Sequence, residues 1–347
     1  MNASERVRTP LYALLAASGG RMGASLDGEV ALDFGDIRSE HSAVRTRVGL
    51  LDRSARGFLV VTGRDALTWL QGLVTNDLRL LNDGRPCVRA CLLNATGHVV
   101  SDTVIIRRQD ALLLDLPACN RTKVFEWLDQ YIITEDVEIV DQTGSTACIS
   151  IQGPMAGQIE LPQDGFHTVV AADHTGEGGY DVYLPAQRAE ELWRVLQSQG
   201  CTPVGERASE VLRIEAGIPR YGLELTDNVF PLECGLQNSH ISTSKGCYVG
   251  QEVIARILSR GHTNRALAGL LFDGEEVPQP GTEVRGFASE GQAPVAGVIT
   301  SSCTSFTLGA PIALALLRRE ASRPGQRLET ATGQKALVTD LPFVNRE

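Results

Sequence analysis

The residues best suited to chemistry in this chain lie around one cysteine, Cys247. The segment reads Ser244-Lys245-Gly246-Cys247-Tyr248-Val249-Gly250-Gln251-Glu252. A nearby ammonium favours the thiolate form of a cysteine, which is the nucleophilic and metal-binding form. The flanking glycines permit unusual backbone angles and close approach by another molecule. Spacing alone leaves two alternatives open: a reactive thiol activated by Lys245, or a polar loop with a structural cysteine.

The other cysteines and the histidines do not form a ligand pattern. The chain has 8 cysteines and 6 histidines, with no Cys-x-x-Cys pair and no His-x₃-His pair. Scattered cysteines in a long chain are typical of reduced thiols in a cytosolic protein, so we expect a cytoplasmic location. The sequence therefore predicts no metal held by the protein.

Length and composition indicate a globular protein with several domains. The 347 residues are 43% hydrophobic and 21% charged, and their formal net charge is −10. A chain of this length is expected to form two or three domains. The acidic balance argues against direct nucleic-acid binding through bulk electrostatics, and the chain has no continuous apolar run of about 18 residues that would predict a membrane span.

The periodicity of apolar residues predicts the elements that must position the polar groups. Residues 87–93 and 99–106 read as two strands joined by the turn Asn94-Ala95-Thr96-Gly97, which predicts a hairpin. Residues 66–74 and 206–217 have helical spacing. After residue 260, short strand-like runs alternate with turns and no long helix intervenes, which predicts a small β-barrel or sandwich. We therefore expect two α+β domains over residues 1–260, with an uncertain, interleaved boundary, and a β-barrel over residues 261–347.

The cysteine segment resembles the signature of a known family. Residues 245–252 match the pattern K-G-C-Y-x-G-Q-E of the YgfZ family, which is related to the glycine-cleavage T-protein. The family's motif thus includes Gly246, Tyr248, Gly250, Gln251 and Glu252 around the cysteine. Further blocks that resemble the T-protein follow in the same order along the chain: Thr9-Pro10-Leu11-Tyr12, Glu40-His41-x-Ala43-Val44-Arg45, Gly49-Leu50-Leu51-Asp52-x-Ser54, Leu93-Asn94-Ala95-Thr96-Gly97, Gln152-Gly153-Pro154, Thr175-Gly176-Glu177-x-Gly179-Tyr180, Leu212-Arg213-Ile214-Glu215-Ala216-Gly217 and Tyr221-Gly222.

The resemblance implies a fold and a ligand. It implies an α+β protein with three domains in a T-protein-like arrangement, a C-terminal β-barrel, and tetrahydrofolate or a derivative bound in the centre. A carboxylate can accept two hydrogen bonds from the adjacent N–H and amino groups of a pterin, and Glu177 and Glu215 are the candidates. Arg213 could bind the glutamate tail of the folate, or it could instead pair with Glu177 or Glu215. Tyr221 and Asn94 are assigned to the same folate site.

Asp102 is the candidate for proton transfer. It follows the predicted hairpin and could face the N5/N10 region of the folate, although a strand-end carboxylate without a catalytic role has comparable weight. The T-protein has a pair of aspartates where this chain has Ser101-Asp102, so one carboxylate is missing. The sequence does not indicate which of the two aspartates is essential.

Two functions remain open. The resemblance implies a folate-binding accessory protein that supports assembly or repair of iron–sulfur enzymes, including tRNA-modifying methylthiotransferases, through Cys247 with Lys245. Its protein partners would be those enzymes, bound transiently, and it would not be a conventional enzyme. The alternative is a tetrahydrofolate-dependent aminomethyl or one-carbon transferase, whose activity would survive replacement of Cys247.

Overall fold

The computed structural model describes residues 6–286 and 294–346. The helices, in chain order, are α1 (Tyr12–Ala17), α2 (Ile37–Thr46), α3 (Ala66–Gln71), α4 (Arg121–Asp129), α5 (Ala189–Ser198), α6 (Glu206–Glu215), α7 (Gln237–His240) and α8 (Gln251–Arg260). The strands are β1 (Arg21–Ser25), β2 (Gly28–Asp33), β3 (Gly49–Asp52), β4 (Gly57–Thr62), β5 (Cys87–Leu93), β6 (Val99–Arg108), β7 (Ala111–Leu116), β8 (Glu138–Asp141), β9 (Thr146–Gln152), β10 (Thr168–Ala171), β11 (Gly179–Pro185), β12 (Thr202–Val204), β13 (Arg265–Phe272), β14 (Glu283–Arg285), β15 (Val295–Thr304), β16 (Pro311–Arg318), β17 (Arg327–Thr330) and β18 (Lys335–Thr339).

The first α+β unit is built on an antiparallel sheet with the strand order β5-β6-β7-β4-β8. Side chains alternate between the two faces of a strand, so each strand presents one set of residues to each side. On one face, Leu92, Ile105 and Leu114 pack against Trp69 of α3 and Leu128 of α4. The opposite face is thereby left to meet the second unit and to carry polar residues.

The second unit has the sheet order β10-β11-β9-β3-β12, in which only the pair β3–β12 is parallel. One face packs against Trp193 and Leu196 of α5 and against Leu15 of α1. Strand β3 precedes the first unit in sequence and β9–β12 follow it, so the chain leaves the second sheet, builds the first, and returns. The two units are therefore interleaved in sequence.

The C-terminal unit is a closed barrel with the strand order β13-β16-β15-β14-β17-β18. Its interior is apolar and includes Leu270, Phe272, Ile299 and Leu317. The predicted fold class, α+β with a small C-terminal β-barrel, is confirmed. Among the described residues, no helix is long and apolar enough to span a membrane.

The predicted hairpin is present as β5 and β6, with Cys91 directly opposite Asp102. Asn94 organises the turn, because its side-chain oxygen accepts hydrogen bonds from the backbone N–H groups of Thr96 and His98, both at 3.0 Å. Gly97 in this turn has φ +82°, a conformation that glycine adopts without strain. The turn chemistry thus fixes the register that carries Asp102.

Two local predictions differ from the structure. The helices expected over residues 66–74 and 206–217 end earlier, at Gln71 and Glu215. The sequence reading also missed helix α2, although Asp36 caps it by accepting hydrogen bonds from the backbone N–H groups of Arg38 and Ser39. A capping aspartate is a recognisable helix start signal that was available in the sequence.

Candidate functional site

A polar cavity lies between the two α+β units. It has an open volume of ≈ 990 Å³, including the solvent at its mouth. Asp102 and Arg89 line it from the first sheet, His174 from the loop after β10, Glu210 from helix α6, and Tyr221 from the segment that follows α6. None of its lining residues comes from the described barrel strands. The cavity therefore belongs to the interleaved pair of units, and the barrel packs elsewhere.

Asp102 has the clearest unmet hydrogen-bonding capacity in this cavity. It lies on β6, two residues before Val104 on the same cavity face. Its Oδ1 atom is buried and has no hydrogen-bond partner among the described residues. Burial raises the pKa of the Asp102 carboxyl, although the positive charge of Arg56 opposes that shift. A buried polar atom without a partner carries a substantial free-energy cost, so Asp102 is positioned for a polar ligand.

Ser101 and Asp102 stand where the T-protein has a pair of aspartates, and the structure shows which of these two positions lines the cavity. Ser101 is buried, does not line the cavity, and donates its hydroxyl to the backbone carbonyl of Asp102 at 2.7 Å. Successive residues of a strand point to opposite faces. A second aspartate at position 101 would therefore face away from the cavity, and Asp102 is the position of the pair that lines it.

Several arginines of the cavity are already neutralised. Arg56 donates to Asp115 at 2.5 Å, and Arg220 donates to Asp27 at 2.8 Å and to Glu206 at 2.6 Å. These charge-assisted hydrogen bonds hold the guanidinium groups in fixed positions. They build the wall of the cavity, and Arg56 and Arg220 therefore offer little positive charge to a ligand.

Arg213 belongs to this neutralised group, which weakens its expected role in binding a glutamate tail. Its guanidinium donates to Glu210, to Glu224 at 3.0 Å, to the Ile218 carbonyl at 2.7 Å and to Ser301 at 2.7 Å. Ser301 lies on β15, so Arg213 ties helix α6 to the barrel. The arginine reaches the edge of the cavity but is committed to structure.

Two predicted pterin acceptors do not line the cavity. Glu215 is fully buried and accepts hydrogen bonds from His41 at 2.7 Å and from Ser305, while Arg45 pairs with both Glu215 and Glu177. Burial raises the pKa of Glu215, but the hydrogen bonds outweigh it and lower the pKa to about 2. The structure thus brings Glu177 and Glu215 together around Arg45, and both carboxylates are occupied.

The remaining predicted residues divide between cavity and turn. Tyr221 lines the cavity and donates its hydroxyl to Asp227 at 2.9 Å. Asn94 does not line the cavity, because its side chain is used in its own turn. Of the folate-site residues expected from the sequence, Asp102, Arg213 and Tyr221 therefore meet at one cavity.

Lys245 does not sit free beside the thiol. Its side chain is buried, and the ammonium donates to the backbone carbonyls of Gln71 at 2.5 Å, Val74 at 2.6 Å and Asn76 at 3.0 Å. Burial lowers the pKa of Lys245 to about 8. These bonds tie the cysteine segment to the loop after α3, so the expected activation of Cys247 by this ammonium is not what the contacts show.

The other residues of the motif hold the loop, and the thiol is exposed. Tyr248 packs in an apolar cluster with Cys91, while Gly250 has φ +80° and lies so close to the Asn94 carbonyl that an added Cβ would come within 2.6 Å of that oxygen. Gln251 and Glu252 begin helix α8. Cys247 is the one exposed cysteine among the eight, and it does not line the cavity.

A buried cluster between the two sheets resembles a metal site only in residue type. Ligand atoms of Asp115, Cys148 and Asp181 lie within 4.8 Å of one another. The carboxylates already have partners, because Tyr183 donates to Asp115 at 2.7 Å and His174 contacts Asp181 at 2.9 Å. This network joins the first sheet to the second through satisfied hydrogen bonds.

Sequence reasoning missed two cavity arginines, Arg53 and Arg89. Arg53 occupies the variable position of the block that runs from Gly49 to Ser54, directly after an apolar strand. Arg89 interrupts an apolar strand on the face opposite Val88 and Ala90. The available signal was an arginine within an apolar strand for Arg89 and directly after one for Arg53.

Comparison with known proteins shows the family of the chain. Residues 11–161 and 165–242 match the profile of the GCVT N-terminal domain, and residues 265–345 match that of the glycine cleavage T-protein C-terminal barrel domain. An aminomethyltransferase of Rubrobacter xylanophilus is 33% identical, with 98% of this chain and 95% of the relative covered. An aminomethyltransferase of Shouchella clausii is 32% identical, with 98% of each chain covered.

A solved structure supports the same fold. The glycine cleavage system aminomethyltransferase T of Bartonella henselae superposes with a TM-score of 0.85 and 23% identity, covering 98% of this chain and 99% of that one. The relationship to the T-protein that the sequence blocks indicated is thereby confirmed, whereas membership of the YgfZ branch stays a prediction. From its domain matches and its relatives, the chain belongs to the glycine cleavage T-protein (GCVT) family.

Proposed function

We propose that this protein binds a reduced folate in the cavity between its α+β units and transfers a one-carbon unit there, with Asp102 as the proton-transfer group. The observation that carries the proposal is the carboxyl group of Asp102, a residue that lines the cavity and whose buried Oδ1 atom has no hydrogen-bond partner among the described residues. Family membership supports folate as the ligand, and relatives named aminomethyltransferase support transfer of an aminomethyl or related group.

The cavity residues fit such a ligand by their chemistry. Bound folate would supply the amine nitrogens that accept the carbon unit. Asp102 would hydrogen-bond a ligand N–H and take or return a proton, for which its raised pKa is suitable because a base works best when its pKa approaches the ambient pH. Tyr221 supplies an aromatic side chain to the same cavity, fixed through its hydroxyl by Asp227.

A transfer assay tests the proposal. Wild-type protein is incubated with tetrahydrofolate and an aminomethyl donor, and formation of the one-carbon folate is followed. The proposal expects turnover by the wild type and by Cys247→Ser, and a large loss with Asp102→Asn. Ser101→Ala serves as the matched control, because position 101 is adjacent in sequence but does not line the cavity. Turnover by Asp102→Asn at the wild-type rate would contradict the proposal.

A second candidate function rests on a separate observation, the exposure of Cys247 on a loop that Lys245, Tyr248 and Gly250 hold in place. In this candidate the chain is a YgfZ-type accessory protein that supports assembly or repair of iron–sulfur enzymes, including tRNA-modifying methylthiotransferases. Those enzymes would be transient partners that meet the thiol at the surface. Folate binding would be retained.

The two candidates separate in one pair of variants. If the accessory role is correct, Cys247→Ser abolishes support of iron–sulfur enzymes in cells while its folate binding equals that of the wild type. If one-carbon transfer is correct, Asp102→Asn has the larger effect and Cys247→Ser behaves as the wild type in the transfer assay.

A further inference from the structure

The cavity contains two arginines that differ from all its others. Arg56, Arg213 and Arg220 each bond to a carboxylate, as described above. Arg53 and Arg89 also line the cavity, but neither makes a salt bridge with any described residue. Among the described residues, neither guanidinium therefore has a carboxylate within salt-bridge distance, although the more distant charges of Asp27 and Asp181 act on Arg53.

Arg53 follows directly after strand β3. Its backbone N–H donates to the Cys148 carbonyl at 2.9 Å, which extends the pairing of β3 with β9 within the second sheet. Its side-chain Nε atom is buried and has no hydrogen-bond partner among the described residues. A buried guanidinium nitrogen without an acceptor is costly unless a ligand supplies one.

Arg89, on strand β5, lines the same cavity, and we call the part of the cavity at Arg53 and Arg89 the corner. Its Nη2 atom donates a hydrogen bond of 3.3 Å to the carbonyl of Ala171, close in sequence to His174. Burial lowers the pKa of His174, and the charges of Arg53 and Arg89 lower it further. Both arginines thus act on one neighbour, His174, whose protonation their charges disfavour.

Two acids near this corner, Asp181 and Asp173, are held by other partners. Asp181 is bound to His174 at 2.9 Å, and Asp173 accepts hydrogen bonds from the backbone N–H groups of Thr175 at 3.1 Å and Gly176 at 2.7 Å. Neither lies within salt-bridge distance of Arg53 or Arg89. The corner therefore favours an anion supplied from outside the protein.

The position of Arg89 relative to Asp102 limits the size of that anion. Arg89 pairs with Val104, whereas Asp102 pairs with Cys91, so the two residues are diagonal neighbours on one face of adjacent strands. Such neighbours are about 7–8 Å apart. A ligand with an anionic group at Arg89 thus needs only a few bonds to reach Asp102. This short span suits a small molecule better than a folate, whose glutamate tail is distant from its reactive nitrogens.

We propose that Arg53 and Arg89 form a carboxylate-binding corner that recognises a small amino-acid-type one-carbon donor beside Asp102. The inference rests on the proposed function and adds its substrate class. The donor carries its carboxylate on the two arginines and its amine-bound carbon toward Asp102. The bond from that carbon to the donor amine breaks as its bond to a folate nitrogen forms, and the proton lost from the folate nitrogen passes through Asp102 to the leaving amine. The carbon keeps its oxidation state, so no oxidant is required. A planar guanidinium suits a carboxylate because it can donate two parallel hydrogen bonds to it.

Calorimetric titration with N-methylglycine and with its amide, in which an uncharged carboxamide replaces the carboxylate, tests this corner in the presence of saturating tetrahydrofolate. We expect the wild type to bind the acid and not the amide. Arg53→Gln and Arg89→Gln are each expected to weaken binding roughly ten- to a hundredfold, since a charge-assisted hydrogen bond contributes about 1.5–3 kcal/mol. Arg64→Gln, at an exposed position outside this cavity, is the matched control and should bind as the wild type does. Melting curves establish that each variant is folded.

Three outcomes overturn the proposal: no binding of N-methylglycine, equal binding of acid and amide, or wild-type affinity in both glutamine variants. A parallel titration compares tetrahydrofolate with tetrahydropteroate, which lacks the glutamate tail. It tests whether the arginines bind the carboxylates of that tail and not the carboxylate of a donor. If the variants lose affinity for tetrahydrofolate alone, the arginines hold the folate tail and the donor assignment is wrong. If the wild type binds no folate at all, the proposed function fails, whereas acid-over-amide selectivity measured without folate would leave the carboxylate corner intact.

Discussion

The cavity and the Cys247 loop are the two regions richest in residues that could take part in chemistry. They differ in which of their polar groups have hydrogen-bond partners. In the loop, the ammonium of Lys245 is bonded to three carbonyls and only the thiol faces solvent. In the cavity, most charges are paired, yet Asp102 and Arg53 each keep a buried atom without a partner. Buried unsatisfied atoms are rare and costly, so they point to a ligand more strongly than exposure alone does.

This comparison also shows that the charged groups near a residue in sequence can differ from those near it in the folded structure. Lys245 is two residues from Cys247 in sequence, but its ammonium is committed to the loop after α3. Asp102 has no charged neighbour within two residues, but its carboxyl faces the charges of Arg56, Asp115 and Asp27 across the cavity. Proximity in sequence therefore identified a plausible thiol site, while the fold assembled the more polar one.

The largest expected effect concerns Asp102. Asp102→Asn should lower the rate of one-carbon transfer by about 10²–10⁴, the usual contribution of a general acid–base group. Steady-state kinetics with tetrahydrofolate measure the loss, and Ser101→Ala should stay close to the wild type. If both variants behaved alike, the distinction between the two strand faces would have no functional meaning.

Lys245 gives the next largest effect, on stability. Lys245→Met should lower the free energy of unfolding by about 1–3 kcal/mol, because buried backbone carbonyls lose their donor. Denaturant titration measures the change. The matched control is Lys335→Met at an exposed position, for which a change within about 0.5 kcal/mol is expected. Equal effects at both positions would mean that Lys245 is not a structural anchor.

The two glycines beside the cysteine provide a sharper test of the loop. Gly250→Ala should destabilise by at least about 1–2 kcal/mol, since φ is +80° and the new Cβ would collide with the Asn94 carbonyl. An added Cβ at Gly246 meets no atom within 4 Å, so Gly246→Ala should be nearly neutral. Denaturation of the two variants side by side decides whether Gly250, and not glycine content in general, shapes this segment.

Asp102 should also have a smaller, pH-dependent effect on stability. Its folded-state pKa is raised above the ordinary value of 3.8, mainly by burial, so its charged form is disfavoured in the folded protein. The stability that it contributes is complete below pH 3.8 and is lost as the pH rises through the folded-state pKa. Asp102→Asn should therefore melt at a higher temperature than the wild type at pH 7, with a gain that shrinks toward pH 4. A gain that is the same at both pH values would rule out this electrostatic origin.

The smallest expected effect belongs to Cys247. Because its side chain is exposed and outside the cavity, Cys247→Ser should change the free energy of unfolding by less than about 0.5 kcal/mol and leave folate binding unchanged. Thermal and chemical denaturation measure the first quantity, and calorimetry the second. A marked loss of folate affinity would indicate that the Cys247 loop and the cavity form one binding site.

Features with local causes were predictable from the sequence. The hairpin of β5 and β6 follows from its turn residues, and the barrel follows from short strands between turns. The roles of Glu177 and Glu215 were not predictable, because their partner Arg45 lies 132 and 170 residues away along the chain. Motif matching gave the right residues around Glu215, but only the fold shows that its carboxylate is consumed within the core.

The most direct measurement is the melting temperature of the wild type as tetrahydrofolate is added. A ligand that binds only the folded state stabilises it by about 2.7 kcal/mol at a hundred times its Kd. We expect the melting temperature to rise with tetrahydrofolate concentration, equally in Cys247→Ser, and by a different amount in Asp102→Asn because the carboxylate is lost from the cavity. A melting temperature that does not change at any tetrahydrofolate concentration would contradict folate binding beside Asp102.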